Sequence, residues 1–454
     1  MSTPQHLFRH RCSLAVLSTA LCGLTACVQF KARPLSPGDT AAAFTGRSLD
    51  DAGLKAFLTE QGAERGSWNV ERLALAAAYF HGDVAVARAE AEEAAAGIKT
   101  AGQSPNPVLS FSPGYNTTTS GITPWIITPS LDLPIETAGK RGKRLAEARA
   151  LAEAARLRVA DVSWTARTKV RASMLDLYAA RENSTLLTAA VALHGEVVKK
   201  LDAQVKAGES PAFELLQERL GFNRSQLALH DAEKLAATSR AQLASAAGVP
   251  SVALDAVTLD FFAFTLLPPA PGPEVRRNAL TNRADLLAAL ADYAAADAEL
   301  RLQIAKQYPD VHLSPGFQLD QTENKYSLGL SVELPIVNQN RGPIAQASAR
   351  RKTVGAKFEA KQAAVFGEIE TALAAYRGAR AKVATANKLF DEAAHATETT
   401  KRMVEAGELA PLEVTRRNIE ASAAALARLE ARIQAQQAVG ALESALHTPM
   451  RAAK

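Results

Sequence analysis

The stretch YSLGLSVELPI, residues 326–336, alternates apolar and polar positions without interruption. Such alternation puts the apolar residues on one face, so it predicts a β-strand with one apolar and one polar face. The stretch VHLSPGFQLD, residues 311–320, alternates in the same way, and a short polar connection joins the two. Strands at about 311–320 and 325–336 are therefore predicted to form a β-hairpin. A second hairpin with the same pattern is predicted from strands at about 107–116 and 122–135.

Long segments that are poor in proline flank these hairpins and are rich in Ala, Leu, Glu, Arg and Gln. Apolar residues recur in them at spacings of three and four, which predicts helices. The predicted helices are about 71–103, 141–207, 211–248, 275–306, 343–406 and 411–448. The longest would span on the order of 100 Å, and helices of that length need neighbours along their apolar stripes.

The chain contains an internal duplication. SLDLPIETAGKRGKRLAEARA from Ser130 matches SVELPIVNQNRGPIAQASARR from Ser331, and KAGESPAFELLQERL from Lys206 matches EAGELAPLEVTRRNI from Glu405. The order hairpin, long helix, tip and return helix therefore occurs twice. We predict a first repeat at 68–250, a linker at 251–274 and a second repeat at 275–454.

The N-terminal segment carries all three cysteines of the chain. Basic residues followed by an apolar run predict a signal peptide at residues 1–26. It ends in Leu24-Thr25-Ala26-Cys27, which resembles the lipobox of bacterial lipoproteins. That resemblance implies that Cys27 becomes an acylated (palmitate-bearing) N-terminus, followed by a lipidated extension at 27–67. An ordinary signal peptide with an incidental cysteine is the alternative.

Strands of about ten residues with one apolar face are typical of outer-membrane barrels, although a soluble sheet packed on a helix has the same pattern. Four strands cannot close a barrel, and an open sheet edge in lipid leaves backbone groups without hydrogen bonds. If these strands lie in a membrane, the chain must therefore oligomerise. Two copies would supply eight strands with a filled interior, and three would supply twelve with room for a lumen.

The segments QSPNPVLSFSPGYN, LPIETAGKRGKR, KQYPDVHLSPGF and LPIVNQNRG, with two long helices that break at AGESP and AGELAP, resemble the TolC family of outer-membrane efflux channels, particularly its CzcC-like heavy-metal branch. The resemblance implies a mixed α/β membrane protein. It would be a homotrimer with a twelve-stranded barrel, four strands from each protomer, continuing into a periplasmic α-helical barrel. It also implies a passive exit duct for heavy-metal cations, served by a periplasmic adaptor and an inner-membrane RND-type pump.

The same resemblance assigns roles to residues where the helices break. It implies that the adaptor docks on the two tips. The first tip comprises Ala207, Gly208, Glu209, Ser210 and Pro211, and the second comprises Ala406, Gly407, Glu408, Leu409 and Pro411. An acidic ring of the family's gate corresponds to Glu413, and Glu214 holds the equivalent place in the first repeat. The next acidic position of the family is Arg416 here, which departs from the pattern. Both glutamates also suit a first helical turn, where they complement the helix dipole.

One dense basic cluster follows a predicted strand: Lys140, Arg141, Lys143 and Arg144. It has no aromatic interleaving or recognised module for nucleic acid, so we predict that it lies at the membrane interface near anionic headgroups.

The sequence offers no support for an enzyme, because HExxH, GxSxG and GxGxxG motifs are absent and the mature chain would keep no catalytic thiol. Its eight histidines are scattered, so no metal site and no cofactor are predicted. Two alternatives to a metal duct remain: a duct for small organic toxicants, and a lipid-anchored periplasmic coiled-coil scaffold.

Overall fold

A computed structural model describes residues 30–63, 66–118 and 121–450. The predicted signal peptide and Cys27 lie outside the described residues. The chain divides into two compact units, Met1–Gly46 and Arg47–Lys454. In the described part of the first unit, helix α1 spans Pro37–Thr45, and the Ser36 hydroxyl accepts a hydrogen bond from Asp39 N–H at its start.

The second unit repeats one succession of helices and strands. The elements of its first half are α2 (Ala52–Glu60), α3 (Val70–Phe80), α4 (Gly82–Ala101), β1 (Val108–Tyr115), β2 (Trp125–Ile135), α5 (Lys140–Lys206) and α6 (Ala212–Ala247). Two short 3-10 turns, Ser251–Leu254 and Phe262–Phe264, lead to the second half. Its elements are α7 (Pro273–Asn282), α8 (Ala284–Ala305), β3 (Val311–Asp320), β4 (Glu323–Val332), α9 (Arg341–Glu405) and α10 (Pro411–Leu446). None of the helices in the described ranges combines the length and apolar character needed to cross a membrane.

Two predicted helices are each broken into two. The helix predicted at 71–103 is interrupted at His81, whose backbone is extended and whose ring Nδ1 accepts a hydrogen bond from Asp83 N–H. The helix predicted at 275–306 is interrupted at Arg283, which is also extended. The Arg283 guanidinium is buried and donates to the carbonyl oxygen of Ala445, so a tertiary contact fixes this break.

The second hairpin also differs from its prediction. Its turn consists of Gln321 and Thr322, with Gln321 at a φ of 56°, and β4 ends at Val332 rather than at residue 336. Beyond the strand, Ile336 N–H donates to the carbonyl oxygen of Leu334 at 2.8 Å, a tight turn around Pro335. Val332 lies opposite Val311, the first residue of β3, so β4 ends where its partner ends and the alternating pattern outlasts the strand itself.

The four strands form one antiparallel sheet in the order β1-β2-β3-β4. Its register places apolar residues opposite one another across every pair: Leu109 faces Leu131, Leu133 faces Leu313, and Leu313 faces Leu330. On the other face Ser130 lies between Ser110 and Gly316. One face of the sheet is therefore continuously apolar, and strands β1 and β4 form its two edges.

Three buried cores stabilise the second unit. The first packs α3, α5 and α6 around residues such as Leu73, Met174 and Leu243. The second joins α9 and α10 around Leu373, Tyr376 and Leu442, and the Tyr376 hydroxyl donates to the carbonyl oxygen of Pro268. The third, smaller core lies beside the first tip and is described below.

Candidate functional site

The two tips have the same backbone geometry. At the first tip, Glu209 N–H donates to the carbonyl oxygen of Gln204 at 2.8 Å and Gly208 N–H to that of Val205. At the second, Glu408 N–H donates to that of Met403 at 2.9 Å and Gly407 N–H to that of Val404. Both are Schellman motifs, which end a helix on a left-handed residue. Gly208 and Gly407 have φ values of 73° and 79°, a region that favours glycine.

The exposure of the two tips differs at a single position. Every residue predicted for docking is exposed except Ser210, which is half-buried and donates from its hydroxyl to Gln204 Oε1. Pro211 precedes the first residue of α6, whereas Pro411 is itself the first residue of α10. Both tips are therefore accessible in the single chain.

Glu214, Glu413 and Arg416 meet just beyond the tips and are called here the tip triad. The Arg416 guanidinium contacts Glu413 Oε1 at 3.1 Å and Glu214 Oε2 at 3.8 Å. The three side chains are 36–38% exposed. The sequence singled out these residues, but it did not indicate that the arginine joins the equivalent glutamates of the two repeats. Two carboxylates thus share one guanidinium, leaving a formal charge of −1 on the triad.

A small core supports the tip triad. Val197 and Leu201 of α5 and Leu215 of α6 are buried, and Leu412 and Ile419 of α10 pack against them. Thr415, next to Arg416, is also buried, and its hydroxyl accepts a hydrogen bond from Lys200 Nζ at 3.3 Å. The start of α10 therefore packs on the first repeat, which explains why Arg416 can reach Glu214.

The basic cluster is held largely by internal contacts. Lys140 is buried and forms a 2.8 Å ion pair with Asp310, so the prediction of headgroup contact is wrong for this residue. Arg144 pairs with Glu136. Arg141 donates to the carbonyl oxygen of Gly102, and Lys143 donates to that of Ala138, both at 2.7 Å. These contacts connect the loop between β2 and α5 to the end of α4 and the start of β3. For Arg141, Lys143 and Arg144, contact with the membrane interface stays a prediction.

A second ionic cluster lies among the long helices, and the sequence did not reveal it. It comprises Arg167 and Arg171 of α5 with Gln436 and Glu443 of α10, all buried, and is called here the buried arginine cluster. Glu443 Oε2 contacts Arg167 Nη1 at 2.9 Å and Arg171 Nε at 3.2 Å. Arg171 also donates to the backbone and side-chain oxygens of Gln436. In the sequence, the positions of these residues along their helices do not differ from those of exposed charged residues, so the cluster could not be predicted.

The chain is similar in sequence to known outer membrane efflux proteins. The family model described as OEP, outer membrane efflux protein, matches the chain twice, at residues 77–249 and 275–447. A stretch of 219 residues is 26% identical to the cobalt-zinc-cadmium resistance protein CzcC of Cupriavidus metallidurans, covering 47% of this chain and 51% of that protein. The chain thus matches about half the length of this curated relative.

Solved structures share the fold at low sequence identity. The outer membrane protein VceC of Vibrio cholerae is 17% identical, with a TM-score of 0.68 over 87% of this chain and 99% of that one. The outer membrane channel MtrE of Neisseria gonorrhoeae, solved in its open state, is 14% identical, with a TM-score of 0.67 over 84% of this chain and 89% of that one.

Proposed function

The chain belongs to the family of outer membrane efflux proteins, and from this we propose that it is the outer-membrane component of a tripartite efflux pump. In this role it is a passive exit duct and not an enzyme. A periplasmic adaptor and an inner-membrane RND-type pump deliver the substrate to it. The observation that carries the proposal is the family match, which recurs in both repeats.

A homotrimer is the assembly that the sheet supports best. Strands β1 and β4 end the sheet on either side, and all residues of β4 are exposed. Their apolar face carries Leu109, Phe111, Leu328 and Leu330, all exposed in the single chain. Lipid can cover such a face, but each edge needs a strand from another copy to satisfy its backbone groups. Three copies supply twelve strands and leave a lumen.

The tips are the proposed mouth of the duct at its periplasmic end. Their exposed surfaces are where the adaptor docks, and the tip triad beside them is the proposed gate. Each protomer contributes a net charge of −1 there, since Arg416 balances one of the two glutamates. The mouth therefore favours cations less strongly than a ring of carboxylates alone.

Heavy-metal cations are the proposed cargo, on the strength of the similarity to a cobalt-zinc-cadmium resistance protein. Acylation of Cys27 in the outer membrane is the proposed anchor, because the lipobox-like stretch Leu24–Cys27 ends a signal-peptide pattern. Labelling with a fatty-acid analogue tests this directly: wild type takes up label, and the Cys27→Ala variant takes up none. Equal labelling of the two would contradict the anchor.

The cargo proposal is tested in a strain of the source bacterium that lacks the gene. We expect lower tolerance of zinc, cobalt or cadmium, restored by the wild-type gene, with tolerance of organic toxicants unchanged. The opposite pattern would show that the duct serves organic compounds.

A matched pair of variants tests the mouth in the same strain. Glu408→Arg reverses a charge on the exposed second tip and is expected to abolish the rescue while the protein still reaches the outer membrane. Glu359→Arg makes the same change on an exposed residue of α9 far from the tip and is expected to rescue like wild type. Full rescue by both variants would contradict docking at the second tip.

A further inference from the structure

Three potential metal ligands from three helices meet at one point of the second unit. They are Asp161 in the middle of α5, Asp285 in the first turn of α8 and His447 just after α10. One ligand atom from each side chain lies within 4.8 Å of the others. His447 Nε2 is 3.9 Å from Asp161 Oδ1. More than a hundred positions separate each of these residues from the next in the sequence, so no sequence motif predicts that they meet.

The imidazole is held in place by its surroundings. His447 has a φ of 48°, a left-handed conformation that is uncommon for residues other than glycine, although histidine, asparagine and aspartate adopt it more often than most. Its ring stacks on Trp164, with the ring centres 5.4 Å apart and the planes at 23°. The side chain is 12% exposed, whereas Asp161 is 34% exposed. The cluster is thus mostly enclosed but open to solvent on the Asp161 side.

The neighbouring charges leave room for a cation. Arg283 Nε and Nη2 each donate to one oxygen of Asp285 at 3.0 Å, and a carboxylate oxygen can accept more than one contact. Lys361 lies 3.5 Å from Asp285 and is half-exposed, so it can turn away. Glu368 pairs with Arg283 on its far side. The three carboxylates outnumber the two cations by one.

We propose that Asp161, Asp285 and His447 bind a divalent transition-metal ion such as zinc or cobalt. One imidazole nitrogen and two carboxylate oxygens are a common ligand set for such ions, with water in the remaining position. Donor atoms around tetrahedral zinc stand roughly 3.3 Å apart. The ligand atoms here lie within 4.8 Å of one another, so they must move closer together when the ion binds. The ion joins α5 of the first repeat to α8 and α10 of the second. The proposal of this site does not depend on the proposed function.

Cobalt binding to the purified protein tests the site. The full chain is prepared in detergent with a purification tag that contains no histidine, stripped with a chelator and titrated with Co²⁺ while its visible absorption is recorded. We expect one Co²⁺ per chain, displaced by Zn²⁺. His447→Asn keeps a residue that tolerates the left-handed conformation, and Asp161→Asn keeps the side-chain shape. Each is expected to weaken binding by about 10–100-fold or more.

His395→Asn is the matched control, because His395 is exposed on α9 outside this cluster. It is expected to bind Co²⁺ like wild type. Circular dichroism and particle size establish that the variants fold and assemble normally. Either of two results would overturn the site: less than one Co²⁺ per wild-type chain, or wild-type affinity in His447→Asn.

Discussion

The buried arginine cluster and the tip triad both join the two repeats, and they differ chiefly in exposure. In the buried arginine cluster, Arg167 and Arg171 of the first repeat share Glu443 of the second, and all three side chains are less than 10% exposed. In the tip triad, Arg416 of the second repeat reaches Glu214 of the first, and both side chains are more than a third exposed. The same chemical groups therefore link the same two halves in different solvent environments.

Because the two clusters differ in exposure, breaking their contacts is expected to have different costs. Removing one partner of a buried ion pair leaves an uncompensated charge in a poorly solvated place, which is strongly destabilising. Exposed pairs contribute little, because water replaces each contact when it is lost. Loss of one partner of the buried arginine cluster is thus expected to be costly, whereas the contacts of the tip triad can break at little cost. This contrast supports the proposal that the tip triad is a gate.

The largest expected effect is on the buried arginine cluster. Glu443→Gln leaves Arg167 with Glu71 alone and Arg171 without a carboxylate, so we expect a loss of about 3–5 kcal/mol in the free energy of unfolding. Glu430→Gln changes an exposed acid on the same helix and is expected to stay within about 0.5 kcal/mol of wild type. Denaturant unfolding in detergent measures both. Equal losses in the two variants would contradict the distinction between buried and exposed charges.

His447, a second, mostly buried ionisable group between the repeats, gives the stability of the protein a pH dependence. Burial, followed by the charge of Arg283, lowers the pKa of His447 to about 4. The unfolded chain has a higher pKa, about 6.5, so it binds more protons between these values and stability falls as the pH drops through that window. With chelator present, His447→Asn is expected to remove on the order of 1–2 kcal/mol of the loss between pH 7 and pH 5. An unchanged pH dependence would contradict a neutral, buried imidazole.

The second tip gives a smaller effect on stability. Gly407→Ala places a side chain at a φ of 79° and is expected to cost about 1–2 kcal/mol in the free energy of unfolding, although open space surrounds the position. Gly367→Ala in the middle of α9, where space is also open, is expected to stabilise by about 0.5–1 kcal/mol. Effects of the same sign in both would argue against the left-handed cap.

Arg416→Gln has the smallest expected effect on stability, less than about 1 kcal/mol. It changes the charge of the tip triad from −1 to −2, so on the proposed function it increases cation selectivity. The measurement is the reversal potential in a planar bilayer under a salt gradient. Arg417→Gln, which removes an exposed neighbour paired with Glu420, serves as the control. Identical cation selectivity in Arg416→Gln and wild type would contradict the proposal that the tip triad is the gate.

The sequence predicted the parts of this comparison that depend on local pattern. Alternation predicted four strands near their observed places, and AGESP and AGELAP marked the two helix ends whose geometry needs Gly208 and Gly407. The sequence did not predict the roles of residues that depend on partners far away in the chain. The break at Arg283 depends on a hydrogen bond to Ala445, and Glu443 looks like any other helix glutamate until two arginines of α5 meet it. Local periodicity carries no information about such contacts.

In the proposed trimer, β1 of one copy pairs with β4 of the next and closes the barrel. Within one chain these strands are separated by β2 and β3, at roughly 4.8 Å per spacing, which is too far for a disulfide. The direct measurement is oxidative cross-linking in membranes of variants that carry one cysteine in β1, at Ser110 or Ser112, and one in β4, at Ser327 or Ser331, with single-cysteine variants as controls. We predict that one pair gives a product of three chains and nothing larger on a non-reducing gel. Products that stop at two chains, extend beyond three or fail to form for every pair would contradict the trimer.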